Sequence, residues 1–313
     1  MRTVPTRSEA AYLLLPQAEL QQRVEALREL MRECVLCPRE CRARRLEGEM
    51  GVCRTGAEAV VSSCGPHFGE ERPLVGLRGS GTIFFTNCNL KCLFCQNYDI
   101  SHLGRGRPVE AAELAGMMLE LEASGCHNLN FVTPTHQVAA IVEALAMAAE
   151  QGLRLPLVFN CGGYESVEAL RLLEGVFDIY MPDAKYGSNE AGRRLSGVAD
   201  YWDRNREALR EMHRQVGDLA CEGRGIARRG LLVRHLVLPE GLSGSETVMP
   251  FLASLSRDTY VNVMAQYRPC YRANEVPEVN RPSTRREYAS AVEAALSAGL
   301  HRLDERAPRG WLP

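Results

Sequence analysis

The chain has 313 residues, 45% hydrophobic and 24% charged, an ordinary globular make-up with room for one large α/β domain and an appendage. Its 37 Lys and Arg against 39 Asp and Glu leave a net charge of −2, which gives no electrostatic basis for binding nucleic acid or a membrane surface. The opening "MRTVPTRSEAAYLLLPQAEL" has one short apolar run cut by Pro16, so it does not read as a signal peptide, and no stretch approaches the ~18 apolar residues of a membrane span. A cytoplasmic location is the expectation. Thiols stay reduced there, so clustered cysteines point to metal or redox ligands.

Leu20, Val24, Leu27 and Met31 recur at helical spacing and predict an amphipathic helix over 17–33. A cysteine-rich segment follows, from Cys34 to about Cys64. In it Cys34, Cys37, Cys41 and Cys53 are spaced C-x2-C-x3-C-x11-C. Four thiolates so close can complete a site by themselves, as a Zn or a second [4Fe-4S] cluster. The segment is too polar to build its own core, so bound metal would supply its folding energy. Unligated loop cysteines are the alternative. Residues 65–81, "GPHFGEERPLVGLRGSG", read as irregular linker. The expected division is an N-terminal extension, 1–64, and a main domain, 65–313.

From Gly81, short β-rich runs alternate with helical ones. The predicted strands are 81–86, 128–133, 155–160, 176–181, 231–238 and 259–264. The predicted helices are 109–125, 136–151, 166–175, 188–217, 245–256 and 284–299. The last opens on Thr284 with Glu287 three residues later, a capping-box signature. Such alternation predicts a parallel sheet with right-handed crossovers, either open and doubly wound or an incomplete barrel. In both, sites form beyond the carboxyl ends of the strands. Cys88, Thr133 to His136, "NCGG" (160–163), "PDAK" (182–185) and "AQYRP" (265–269) all stand there. The basic loop "GRGRP" (104–108) reads as a solvated crossover, with a docking site for a protein substrate as the alternative. Cys64, Cys126, Cys161, Cys221 and Cys270 are isolated, and most are expected to be small core residues.

"CNLKCLFCQN" (88–97) holds Cys88, Cys92 and Cys95 at C-x3-C-x2-C spacing. Soft thiolates this close suit Zn or an iron–sulfur cluster. A structural Zn wants a fourth ligand, and nothing at usable spacing follows Cys95 until His102. Three thiolates on a [4Fe-4S] cluster leave one iron open to a substrate or cofactor. A Zn site completed by His102 or a distant residue is the alternative.

This motif, on the loop after the first strand of a (β/α)6 arrangement, resembles the radical S-adenosylmethionine (SAM) superfamily. Over about residues 64–300, and above all in "CNLKCLFCQNYDIS", the chain looks most like the activating enzyme of pyruvate formate-lyase and its PflX-type relatives. The resemblance implies a partial (β/α)6 TIM-like barrel carrying the N-terminal helix and cysteine-rich extension. It implies a [4Fe-4S] cluster on Cys88, Cys92 and Cys95, with the fourth iron chelated by the amino and carboxylate groups of SAM. Reductive cleavage would yield methionine and a 5′-deoxyadenosyl radical that takes hydrogen from a protein, peptide or small molecule. One version of this is a glycyl-radical activase. A reductant protein such as flavodoxin or ferredoxin is implied as partner.

By position, Phe94 resembles the residue that packs near adenine. Asn160, Cys161, Met181, Asp183 and Lys185 would surround the SAM carboxylate, and Arg234 would reach SAM. Gln266 and Tyr267 fall where active-site polar groups are expected. The family usually has G-G-E after the second strand. This chain has "VTPTHQ", so Thr133, Thr135 and main-chain carbonyls are expected to substitute, and His136 reads as structural. The four-cysteine extension, absent from the simplest activases, is expected to order beside the barrel mouth, passing electrons if it holds iron and serving structure if it holds zinc. The reading from a different class is a metal-stabilised binding protein that uses the barrel as scaffold.

Overall fold

The structure, a computed structural model, describes residues 9–304. The strands are β1 (Ala59–His67), β2 (Ser80–Phe85), β3 (Arg107–Val109), β4 (Leu129–Val132), β5 (Leu157–Cys161), β6 (Ile179–Pro182), β7 (Ala220–Glu222), β8 (Ile226–Leu236) and β9 (Tyr260–Met264). The helices are α1 (Gln17–Glu29), α2 (Arg72–Val75), α3 (Tyr98–Ser101), α4 (Ala111–Ala123), α5 (Val138–Glu150), α6 (Val167–Leu172), α7 (Asn189–Ser196), α8 (Tyr201–Val216), α9 (Ser245–Leu255) and α10 (Arg285–Ser297).

The six predicted strands are β2, β4, β5, β6, β8 and β9, and they pair in parallel in that order. The sheet does not close, because β9 pairs β8 and not β2. The architecture is a partial TIM-like barrel. Side chains alternate across each strand. One face points to the helices and holds Phe131, Phe159 and Tyr180, in a ring cluster with Phe177. The other face is the interior, filled low down by Leu74, Val158, Ile179, Met181 and Leu232. Asn160 lies two residues beyond Val158, so it is on the interior face at the carboxyl end. Its partners in register are Val132 and Met181.

Helix α1 buries Leu20, Val24 and Leu27 and is tied down by Arg28 to Glu143 (2.8 Å) and Arg23 to the Leu172 carbonyl (2.7 Å). The capping box at α10 is present: Glu287 N donates to Thr284 Oγ1 (3.2 Å) and Thr284 N to Glu287 Oε2 (2.7 Å).

Three expectations need correction. Residues 65–81 are not a linker: β1 runs through to His67 and α2 follows, so the division at 64/65 falls inside a strand. Strand β1 pairs antiparallel to β2 along its length but to β3 only over Ala59–Val61. Its second half is therefore an edge, where Pro66 is tolerated, and that is why the stretch reads as a loop. The loop 104–108 ends in β3 for the same pairing reason. The predicted helix 188–217 is two helices, broken where Gly197 takes a left-handed conformation (φ +64°) after α7. Among the isolated cysteines, Cys126 and Cys161 are buried, Cys270 is half-buried, and Cys64 and Cys221 are exposed.

Candidate active site

The three-cysteine loop follows β2 and is held from three sides. Asn87, in the left-handed region (φ +64°), bonds the Arg54 carbonyl (3.3 Å). Asn89 Nδ2 donates to the Tyr164 carbonyl (2.7 Å). The amides of Lys91 and Leu93 donate to the Ser196 (3.1 Å) and Leu195 (2.9 Å) carbonyls at the end of α7. Cys92 Sγ meets Ser196 Oγ at 2.9 Å and Cys95 Sγ meets Ser101 Oγ at 3.1 Å. Burial pushes the Cys88 thiol up to about 12, and the nearness of Cys92 and Cys95 adds to this. Burial raises Cys95 too. Metal must therefore displace protons to bind here. His102 does not join the thiols. Its Nε2 bonds the Cys92 carbonyl (3.0 Å) and its ring stacks on Tyr271 (centroids 4.3 Å).

Asn160, Asp183, Lys185 and Arg234 come together across the ends of β5, β6 and β8. Arg234 donates from Nε to Asp183 Oδ1 (2.9 Å) and from Nη2 to Asn160 Oδ1 (2.6 Å). Lys185 Nζ pairs with Asp183 Oδ2. Burial alone would raise the Asp183 carboxyl, but Arg234 and Lys185 outweigh it and hold the group below its ordinary value. The positive charge of Lys185 reaches Cys88 and Cys95, and Cys92 in turn acts on Lys185, so this network borders the thiols. Helix α8 fixes the turn after β6: Asn205 Nδ2 donates to the carbonyls of Asp183 (3.0 Å) and Gly163 (2.8 Å). Gly163 (φ +72°) is obligatory, because a Cβ there would stand 2.0 Å from the Asp183 carbonyl oxygen.

Other expected residues are placed differently. Thr133 is left-handed (φ +60°) and donates its amide to the Asn160 carbonyl (2.8 Å). Thr135 is not free to substitute for a family acid, because Oγ1 bonds Glu165 Oε1 (2.9 Å). Glu165, not foreseen from sequence, is buried and pushed up to about 7 by that burial, against bonds from Thr135 and Cys161. Cys161 is a fully buried thiol, raised by burial and by Glu165. His136 is structural: Nε2 bonds the Thr86 carbonyl (2.8 Å), and burial, then Arg45, push it down to about 3, so it is neutral. Phe94 is buried edge-on to Tyr267 (5.6 Å) and Tyr186 (6.4 Å). Tyr267 donates its hydroxyl to the Val279 carbonyl (2.6 Å), and Gln266 is exposed. Glu70, 3.7 Å from Arg234, and buried Glu71, bonded by Asn262 (2.7 Å), enter the interior from the stretch misread as linker.

The N-terminal cysteine segment folds back on itself and docks on this loop. Cys34 N donates to the Ala43 carbonyl (3.0 Å) and Arg42 N to the Cys34 carbonyl (3.1 Å). Gly51 lies so close to Cys41 that a Cβ would meet its Sγ at 2.3 Å. Beside the effect of burial, Cys34 feels the charge of Cys41, and Cys37 that of Cys53 and Cys34. Burial raises Cys34 and Cys37. Arg39 reaches across to the carbonyls of Asn89 (2.8 Å) and Gly197 (2.6 Å). Arg45 is fully buried and donates to the carbonyls of Thr55 (3.0 Å), Gly56 (2.7 Å) and His136 (2.6 Å). In an arginine-rich stretch without periodicity, nothing marked these two arginines as clamps. An Arg45→Ala variant leaves buried carbonyls without donors, at a cost of ~2–3 kcal/mol. Limited proteolysis should then cut residues 34–56 well before the barrel; wild-type protection would contradict this role.

Three cysteines thus stand on the loop after β2 at the mouth of a partial barrel, bordered by the network of Asp183, Lys185 and Arg234. The radical SAM superfamily pattern matches residues 82–222. The uncharacterized protein MJ0674 of Methanocaldococcus jannaschii is 35% identical over 291 residues, covering 90% of this chain and 79% of that protein. The crystal structure of HydG, a maturase of the [FeFe]-hydrogenase, superposes with a TM-score of 0.50 at 12% identity, over 92% of this chain. The chain spans 62% of the HydG chain, and the likeness is one of fold. Residues 82–222 thus carry a radical SAM superfamily domain.

Such a domain implies a [4Fe-4S] cluster and SAM. The residues fit an iron–sulfur group. Among the described residues, no three His, Cys, Asp or Glu side chains converge on a point that could hold a single metal ion. A cluster asks for something else, one thiolate on each iron, which a set of neighbouring but unconverged thiols can supply. Lys91 Nζ, moreover, is buried without a hydrogen-bond partner. Burial pushes this ammonium below its ordinary value; Cys88 and Cys53 pull it back, while Arg54 and Arg39 oppose them. A thiolate-bound centre supplies the negative charge this site lacks. Among the described residues, no helix is long and apolar enough to cross a membrane.

Proposed function

We propose that Cys88, Cys92 and Cys95 carry the SAM-cleaving cluster and that the Asn160–Asp183–Arg234–Lys185 network receives SAM beside it. The observation that carries this is Lys185, which is paired with Asp183 while its charge reaches Cys88 and Cys95 and it in turn feels Cys92. When bound, cluster and SAM supply a one-electron cleavage to methionine and a 5′-deoxyadenosyl radical, which takes a hydrogen atom from substrate. The chain's part is to bind and orient. Arg234 and Lys185 offer fixed positive charge to a carboxylate, and the main chain at Thr133 offers polar groups to an amine. Phe94 and Cys161 give apolar surface, Phe94 toward adenine, and the barrel walls keep water from a reactive intermediate.

The finer reading is a relative of the pyruvate formate-lyase activating enzyme, of PflX type, acting in the cytoplasm on a protein, peptide or small molecule. A glycyl-radical activase is one form of it. Flavodoxin or ferredoxin is the proposed reductant. Cys34, Cys37, Cys41 and Cys53 form a second metal site, favoured as iron–sulfur over zinc because a chain with the first cluster must already be loaded by iron–sulfur assembly. Anaerobic, reconstituted and reduced protein should convert SAM to 5′-deoxyadenosine and methionine. A cluster-loaded, reduced protein that leaves SAM intact would end the proposal.

A further inference from the structure

Lys91 lies one residue before Cys92 in the three-cysteine loop, and its ammonium is acted on by a cysteine of each set, Cys88 and Cys53, and by Arg54 and Arg39. Arg39 anchors the N-terminal segment to the carbonyl of Asn89, two residues before Lys91, and Arg54 bonds the carbonyl of His102. Nζ is buried with no hydrogen-bond partner. A buried, unpaired ammonium beside other cations is costly. The groups of opposite sign that act on it are Cys88 and Cys53, one from each set, so thiolate-bound centres on both sets would give it the compensating charge it lacks.

We propose that Lys91 is the shared counter-charge of the two centres, raising the reduction potential of the one on Cys88, Cys92 and Cys95 and retaining the metal of the one on Cys34, Cys37, Cys41 and Cys53. This rests on the reading of both sets as metal ligands. A fixed positive charge favours the more negative, reduced state of a neighbouring cluster and lowers the free energy of bound thiolates. The electron that reduces the cluster comes from a flavodoxin- or ferredoxin-class donor and stays on the cluster, so no proton or bond change at Lys91 is required.

The test uses the anaerobically reconstituted full chain as wild type, K91M and K91R. Iron content is measured first. The ratio of reduced to oxidised cluster is then read by electron paramagnetic resonance at one fixed applied potential. K91M should keep its iron while that ratio falls about tenfold, or ~59 mV for a one-electron couple. K91R, which restores the charge, should stay near wild type. In a Cys88/Cys92/Cys95→Ala background, where metal belongs to the N-terminal set alone, K91M should release it to EDTA about tenfold faster, again with rescue by K91R.

An iron-loaded K91M with the wild-type ratio overturns the inference and leaves the function reading intact. Wild-type protein with no cluster signal overturns that reading instead. No metal in the Ala background, or unchanged release there, overturns the sharing. Should K91M load poorly, K91Q takes its place in the same comparison. Loading lost as fully in K91R as in K91M would show a packing role and sink the proposal.

Discussion

Changing Cys88, Cys92 and Cys95 together to Ala is expected to remove about four irons per chain and to abolish formation of 5′-deoxyadenosine, since each thiolate holds one iron of the cluster. The fold should survive. The loop's anchors are elsewhere, in Asn87, Asn89 and the amides of Lys91 and Leu93 against the end of α7, and none of them uses a thiol. The lost contacts are Cys92 with Ser196, Cys95 with Ser101, and Cys88 Sγ with Leu90 N (3.4 Å) and Asn89 Oδ1 (3.7 Å). Those serines keep other solutions: Ser196 Oγ also meets Tyr186 Oη at 2.7 Å. Iron analysis with a thermal melt separates cluster loss from unfolding. Unchanged iron in the folded triple variant would refute the assignment. Iron remaining at about half would locate a second iron centre on the N-terminal set, and zinc remaining would make that centre structural.

The strand ends were legible because period-two runs and their polar termini are local signals. Thus Asn160 and Asp183 could be placed at neighbouring ends before any contact was visible, while Arg234, inside a predicted strand, was picked out only by the family resemblance. The capping box at Thr284 and Glu287 is equally local. What escaped the sequence is what depends on pairing or burial. Strand β1 was hidden because Gly65 and Pro66 mark turns in most contexts, and only one-sided pairing to β2 makes them strand residues. The acids Glu70 and Glu71 looked solvated for the same reason. Lys91 sits inside the most conspicuous motif of the chain, yet its burial depends on a segment about forty residues upstream folding over it, which no spacing rule reports. Thr135 and His136 were correctly located, but only the structure shows that Glu165 and the Thr86 carbonyl already occupy them.

An Asp183→Ala variant is expected to lose both SAM affinity and stability. In the wild type one buried carboxylate serves two buried cations, with side-chain exposures of 13% for Asp183 against 18% for Arg234 and 19% for Lys185. Removing it takes from Lys185 its carboxylate and leaves Arg234 with Asn160 and the more distant Glu70, and breaking such a buried pair costs ~3–5 kcal/mol. Arg234 and Lys185 then also lose the orientation with which they meet a carboxylate. Loss of a charge-assisted hydrogen bond is worth ~1.5–3 kcal/mol, so SAM should bind roughly ten- to a hundredfold more weakly while the cluster is retained. The sign of the pH dependence follows from the Asp183 carboxyl being held below its ordinary value of 3.8. A depressed carboxylate stabilises the folded state above its unfolded value, and that stability is lost as pH falls through the folded value. Denaturant unfolding should therefore show the full gap between wild type and Asp183→Ala at neutral pH, narrowing only below about pH 4. Asp183→Asn, which keeps an acceptor but not the charge, should fall between the two. Wild-type SAM affinity in a folded, cluster-loaded Asp183→Ala protein would remove Asp183 from the site. A stability gap that widened as pH fell would mean that its carboxyl is raised in the folded protein, not held down by Arg234 and Lys185.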